Sequence, residues 1–391
     1  MIWPAHGRHN DIQTTLSDIC RLAARRGAAL SPASTGPSKM TISTAALRRA
    51  AVHHAFLEAA DPLTAVERLG FVQADPIRAP ARAQDLILRQ RVADYRADDI
   101  NRAYEDGGLD EGMFYAYGFA PSKVWPLLQR RRPDDLNELE SKVLAAVHDA
   151  GPTHPNDVAE LGGPRKRNAW GGHSRAAKLA LESLHRRGLL RVSHRIKGVR
   201  CYEAAPDYQT PADLERYHSL VMLVARVMGP LPYKSLRSLA AGLRRRVPEV
   251  RSHVQELKAL VKTGQLVHQG DWIWPAGLVF HDDVPQQVRL LAPFDPLVWD
   301  RRRFALFWGW DYRFEAYTPK EKRVRGYYAM PLLYNDAVIG WANLSVKDDV
   351  LHVETGFVDK RPTEAAFKRL LKAEAQSAAC FLGVQKVSLT G

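Results

Sequence analysis

Leu189-Leu190-Arg191-Val192-Ser193-His194-Arg195-Ile196-Lys197-Gly198-Val199-Arg200-Cys201-Tyr202-Glu203 is the stretch on which the fold turns. Two strand-like runs, 189–192 and 199–203, flank Lys197-Gly198, a pair suited to a tight, basic hairpin turn. Just before them, Ala177, Leu181 and Leu184 recur at helical spacing in a helix that Gly188 closes. Further upstream stand a helix with Leu139, Val143, Leu144 and Val147, the polar segment Pro152-Thr153-His154-Pro155-Asn156-Asp157, and a short helix to Leu161. Three helices followed by a hairpin predict a winged helix, that is, a helix-turn-helix with an added β-wing.

The same order recurs over 211–275. An apolar helix (Leu220, Val221, Leu223, Val224, Val227) precedes Pro230-Leu231-Pro232-Tyr233, a short helix (Leu236, Leu239, Leu243) and a third helix (Val254, Leu257, Leu260, Val261) that ends at Gly264. Two short runs, 265–268 and 271–274, complete the copy, and the repetition argues for tandem winged helices. Beyond 286 the character is β. Runs at 288–290, 312–317, 325–330, 332–334, 338–345 and 350–354 are expected strands, with Asn335-Asp336 and Asp348-Asp349 as turns and a final helix from Thr363 to about 379. Before 136 the pattern is short helices with punctuation, beginning with a helix capped by Ser43 or Thr44.

The expected fold class is therefore α+β and helix-rich. It comprises a helical or winged-helix-like module over 41–135, winged helices over 136–208 and 209–280, and a small β-barrel-like domain with a C-terminal helix over 286–391. Residues 1–40, ending in Ser31-Pro32-Ala33-Ser34-Thr35-Gly36-Pro37-Ser38, have too little apolar surface to offset ordering and are expected to be a tail, with Met40 as a second plausible start. A chain of 391 residues carries a prior of about two to four modules, and 46% apolar with 25% charged residues describes a folded chain. No apolar run long enough to span a membrane and no signal-peptide pattern is seen, so a cytoplasmic protein is expected. Cys20, Cys201 and Cys380 lie far apart without CxxC or Cys/His spacing, which points away from a disulfide framework or a zinc site.

The formal net charge is +13. Between Arg165 and Arg200 eleven Lys or Arg stand against one acid, Glu182, so most of the surplus falls on the expected recognition helix and wing. Phosphate backbones are the partner that such a cluster suits. Arg165, Lys166, Arg167, Ser174, Arg175, Lys178, Arg195, Lys197 and Arg200 are the candidate DNA contacts, with Trp170 beside them and Arg244-Arg245-Arg246 in the second repeat. A solvated basic face is the bland alternative.

No Gly-rich phosphate loop, HExxH or GxSxG is present. His53-His54 read as packing plus surface, because adjacent residues do not share a helix face. Trp299, Trp308, Trp310 and Trp341 lie in sequence that reads as strand-rich and are expected core. One segment differs: Gly70-Phe71-Val72-Gln73-Ala74-Asp75-Pro76-Ile77-Arg78. Proline pushes Asp75 toward extended backbone, where residues two apart share a side, bringing the Gln73 amide beside the Asp75 carboxylate. Such a pair can hold a water and stabilise developing positive charge. Asp75 capping a helix over 76–90, with Pro76 at its first position, is the competing reading, and spacing alone favours it.

These residues are where the sequence begins to resemble the YcaQ/AlkZ family of winged-helix DNA glycosylases, in which Gln73-Ala74-Asp75 matches the Gln-x-Asp form of a short motif. A longer match is Leu291-Ala292-Pro293-Phe294-Asp295-Pro296-Leu297-Val298-Trp299-Asp300-Arg301-Arg302-Arg303, then Trp308-Gly309-Trp310-Asp311-Tyr312-Arg313-Phe314-Glu315-Ala316-Tyr317-Thr318-Pro319, Lys322-Arg323 and Gly326-Tyr327-Tyr328. The resemblance covers roughly 43–385. It departs at Tyr115-Ala116-Tyr117-Gly118-Phe119-Ala120-Pro121, where relatives of this branch carry a Trp-x-His-Glu-Ala-like segment, so no role of that His and Glu carries over. The resemblance implies hydrolysis of the N-glycosidic bond of alkylated purines in double-stranded DNA, with Asp75 and Gln73 as catalytic residues. It implies no metal or nucleotide cofactor, no membrane and no obligate protein partner. A non-catalytic winged-helix regulator is the alternative.

Overall fold

The computed structural model describes residues 42–104, 107–129, 134–162, 166–167, 173–174 and 176–391. The first helix, α1 (Thr44–Ala55), is capped by the Ser43 side chain, which accepts from the Ala46 N–H at 3.2 Å. Asp61 caps α2 (Pro62–Leu69), with Pro62 at its first turn and Gly70 closing it in the left-handed region. After β1 (Val72–Gln73) come α3 (Ala83–Leu88), β2 (Leu109–Met113), β3 (Tyr117–Pro121) and α4 (Trp125–Leu128). The sheet order β1-β3-β2 departs from the mostly helical module expected here. Four of the five residues of β2 and four of β3 are buried, so neither strand shows the in–out alternation by which a strand is recognised.

Next follow α5 (Glu138–Ala150), a 3-10 turn at Ala159–Leu161, the short pair β4 (Lys166–Arg167) and β5 (His173–Ser174), α6 (Ala176–Arg186), and the hairpin β6 (Leu190–Ile196) and β7 (Val199–Ala204). Lys197 and Gly198 both take positive φ, 50° and 81°, as the tight turn requires. The second copy runs through α7 (Asp213–Met228), β8 (Leu231–Pro232), α8 (Tyr233–Leu243), α9 (His253–Lys262), β9 (Leu266–Gln269) and β10 (Trp272–Pro275). In it β8 pairs with β10, and in the first copy Thr153 bridges Tyr202, so the two share helix order and a third strand contact.

The C-terminal sheet is a curled half-barrel rather than a closed barrel, ordered β11 (Val288–Leu290), β12 (Met330–Tyr334), β13 (Ala337–Lys347), β14 (Val350–Phe357) and β15 (Lys386–Thr390). Helix α12 (Ala365–Leu382) lies between β14 and β15 in sequence, and these two strands pair in parallel. Phe367, Leu371, Ala375, Ala378 and Ala379 of α12 are buried in one apolar cluster with Leu290, Leu332, Leu351 and Val353. Two expected strands are absent: 312–317 is irregular, and regular pairing begins only at Met330. Glu315 gathers the Val324, Arg325 and Gly326 N–H groups at 3.1, 2.8 and 3.1 Å, folding this stretch around one carboxylate instead of into a ladder. Two helices, α10 (Pro296–Trp299) and α11 (Arg301–Trp308), stand where strand-rich sequence was expected and hold Trp299 and Trp308.

The apolar clusters cross the expected module boundaries. One joins residues of 59–119, 143–202 and 288–381, and another packs α1 against α10 and α11. Buried polar contacts join the same parts. Arg91 makes a two-pronged pair with Asp295 at 2.8 and 3.1 Å, and the Gln90 amide and the Leu290 N–H both donate to Glu374, at 2.8 and 3.0 Å. No described helix is long and apolar enough to cross a membrane.

Candidate active site

Strand β1 is short because it lies against β3 for two residues, Val72 opposite Phe119 and Gln73 opposite Gly118, and the Ala74 N–H extends the pairing to the Tyr117 carbonyl at 2.9 Å. Gly118 is required by that approach: a Cβ there would stand 2.2 Å from the Val72 carbonyl oxygen and 2.9 Å from the Gln73 Cα. The chain then leaves the sheet at Asp75-Pro76. No helix begins at Pro76. Helix α3 starts at Ala83, and Asp75 Oδ1 accepts from the Ile77 N–H at 2.9 Å, a local turn rather than a helix cap. The helix-capping role for Asp75 is thereby excluded.

Gln73 and Asp75 are each held by a partner of their own. Gln73 is buried, and its Oε1 accepts from the Trp299 indole N–H at 2.9 Å. Because an indole nitrogen only donates, this contact fixes the amide orientation and turns the Gln73 NH2 group to the other side. Trp299 reaches Gln73 because Asp295 and Pro296 start α10: the Asp295 carboxylate accepts from the Leu297 N–H at 3.0 Å while the Arg91 guanidinium neutralises it. Tyr115 packs edge-on to both Trp299 and Phe71, with ring centroids 4.8 and 5.0 Å apart.

Asp75 is half-buried, and desolvation raises its pKa above the ordinary carboxylate value, with the Ile77 N–H pulling the other way. Tyr328, buried in the 312–328 stretch, is raised by burial first and then by the Asp75 charge, so its hydroxyl lies within electrostatic reach of that carboxylate. Among the described residues neither the Tyr328 nor the Tyr115 hydroxyl has a hydrogen-bond partner. Tyr328 belongs to the 326–328 motif, yet nothing in spacing ties a residue 253 positions away to Asp75.

The basic cluster divides. Arg165 and Arg175, with Trp170, lie outside the described residues, and of Lys166, Arg167 and Ser174 only the backbone is described. That backbone pairs Lys166 with Ser174 across β4 and β5, so Ser174 stands on a strand ahead of the helix expected to carry it. Arg195 and Arg200 are not the free surface cations expected. Arg195 grips Glu111, with its Nε 2.7 Å from Oε1, and Arg200 donates to the Tyr117 hydroxyl at 3.0 Å and to Glu182 at 3.3 Å. Arg191 likewise pairs with Asp110 at 3.0 Å, and Arg246 donates to the Leu128 and Phe114 carbonyls. Apart from Glu182, these partners come from the module over 41–135. Lys178 and Lys197 remain exposed, and Lys197 sits at the tip of the hairpin.

A half-buried carboxylate and a fixed amide are groups of the kind that glycosidic hydrolysis uses, and the family comparison gives the class of protein: a DNA glycosylase. The chain belongs to the AlkZ-like family, since the family model described as "DNA glycosylase AlkZ-like" matches residues 66–381. Its fold is similar to that of a solved structure, the Streptomyces sahachiroi DNA glycosylase AlkZ, at 15% sequence identity and a TM-score of 0.58, covering 90% of this chain and 100% of that one. Membership decides between the two classes that the sequence left open, in favour of the enzyme.

Proposed function

We propose that this glycosylase is monofunctional and hydrolyses the N-glycosidic bond of N7-alkylated purines in double-stranded DNA, including crosslinks joined through guanine N7. Asp75 and Gln73 are the catalytic residues in this reading, and the enzyme works in the cytoplasm on nucleoid DNA. The observation that carries it is the Asp75 carboxylate, half-buried and held in a loop instead of being consumed as a helix cap.

N7 alkylation leaves the base cationic. When the bond to the sugar C1′ breaks, its electron pair neutralises the departing base, so no strong general acid is needed. The cost lies in the oxocarbenium-like sugar, whose positive charge a nearby carboxylate stabilises, and in the placing of water. Asp75 supplies the charge and takes the proton of the attacking water. Its raised pKa makes it the better base. The Gln73 NH2 group, oriented by Trp299, positions the water. No lysine adjoins the motif to form a Schiff base, which is why lyase chemistry is not part of the reading.

The two helix–hairpin copies fit tandem winged helices, in modules over 136–208 and 209–280. In the first, Lys178 and Lys197 together with the 165–175 segment are the proposed phosphate contacts. The test uses a duplex containing N7-methylguanine, with base release read by heat or alkaline strand scission. Asp75→Asn should bind the duplex as the parent does and lose base release. Release at the parent rate in that variant would show that Asp75 has been assigned wrongly.

A further inference from the structure

Outside the site described above, three metal-ligating side chains converge from distant sequence. His53 lies in the last turn of α1, and His281 and Asp283 lie in the irregular connection between β10 and β11. One ligand atom from each falls within 4.8 Å of the other two. The His53 Nε2 is 3.6 Å from Asp283 Oδ2, and the His281 Nδ1 is 4.0 Å from Asp283 Oδ1. The two imidazoles stack with centroids 4.0 Å apart and planes 16° apart. Arg49 donates to the His281 carbonyl at 3.2 Å and holds the connection in place, and His53 Nε2 lies 3.1 Å from the Asp283 carbonyl, a hydrogen bond that a metal on that nitrogen would replace.

A neutral imidazole is the form that binds a metal. Around a tetrahedral Zn2+ with bonds of about 2.0–2.2 Å, neighbouring donor atoms stand about 3.4 Å apart. The donor atoms lie within 4.8 Å of one another, wider than that spacing, and rotation of the side chains, of which His53 is 18% exposed, His281 37% and Asp283 73%, would bring them onto one ion. The C-terminal end of α1 also favours a cation. Two nitrogens and one oxygen suit zinc, cobalt or nickel, whereas magnesium and calcium take oxygen sets.

We infer that His53, His281 and Asp283 form a site for one divalent transition metal ion of the zinc class, with the remaining position open to water, which fastens the β10–β11 connection to α1. This departs from the sequence expectation of no metal. The ligands are 228 and 230 residues apart, so no spacing rule could have grouped them. The site shares no residue with Gln73 and Asp75, and the inference stands apart from the glycosylase reading.

The test takes the full chain without an affinity tag, stripped with EDTA, and titrates it with Zn2+ by calorimetry and with Co2+ by visible absorption. One Zn2+ per chain should bind, the melting temperature should rise with added Zn2+, and Co2+ should gain the d–d bands of tetrahedral nitrogen and oxygen coordination. Asp283→Asn, at an exposed position that leaves folding intact, should weaken Zn2+ binding roughly tenfold or more. The double variant His53→Ala, His281→Ala should abolish it, and Mg2+ or Ca2+ should not compete. Absence of saturable binding at one per chain overturns the inference, as does binding that survives unchanged in both variants.

Discussion

Asp75 and Gln73 sit two positions apart on a strand end, yet what makes each useful comes from elsewhere in the chain. Burial raises the Asp75 pKa, and in the proposed reaction the ionised form is the working one. Base release should therefore fall on acidification along a limb lying above the ordinary aspartate range, because a raised pKa means the proton is taken up at higher pH. A rate profile with no acid limb above that range would remove Asp75 from the role of base. Gly118 gives a second residue-scale test. Its Cβ would meet the Val72 carbonyl oxygen at 2.2 Å, backbone against which nothing flexible can yield. Gly118→Ala should destabilise the fold by about 1–3 kcal/mol and lower base release by displacing Gln73. Thermal melts and the scission assay check both effects, and parent-like values in each would refute the packing argument.

The hairpin β6–β7 is the element whose tertiary role differs most from its composition. Arg191 and Arg195 of β6 pair with Asp110 and Glu111 of β2, which are buried to receive them. Burial pushes the Asp110 carboxyl up to about 6 despite Arg191. For Glu111, burial also pushes upward, but the Arg195 guanidinium overrules it and the carboxyl ends below its ordinary value. A depressed carboxylate stabilises the fold above its unfolded pKa and loses that contribution as pH falls through the folded one. Glu111→Gln removes the charge and leaves Arg195 buried without a counter-ion, which should cost about 3–5 kcal/mol at pH 7. Urea midpoints at pH 7 measure this, and an unshifted midpoint would mean that solvent already screens the pair. The same contacts dock the hairpin on the module that carries Gln73 and Asp75, so the element links the proposed DNA surface to the proposed chemistry.

At the scale of the whole molecule the positive surplus has to be recounted. Several of the eleven basic residues between 165 and 200 face inward, so the duplex meets fewer charges than the sequence offers. Lys178→Glu and Lys197→Glu should each flatten the salt dependence of duplex binding by about one phosphate contact, a change of roughly 0.9 in the log–log slope. Arg195→Glu and Arg200→Glu should instead appear as lowered melting temperatures. Equal slope changes for all four would place the two arginines on the DNA surface after all. The sequence by itself determined the helix–hairpin repeat and the β character of the C-terminal third, because periodicity and turn glycines act through neighbours along the chain. Hidden from it were the β1-β3-β2 sheet, whose strands are buried on both faces, and helices α10 and α11, whose aromatic content reads as strand. Only the tertiary structure decided that Asp75 is not a helix cap, that Trp299 fixes Gln73 and that Arg195 answers Glu111. The last two are contacts between residues remote in sequence, and burial, which sets their strength and the charge state of the partners, exists only once the chain has closed.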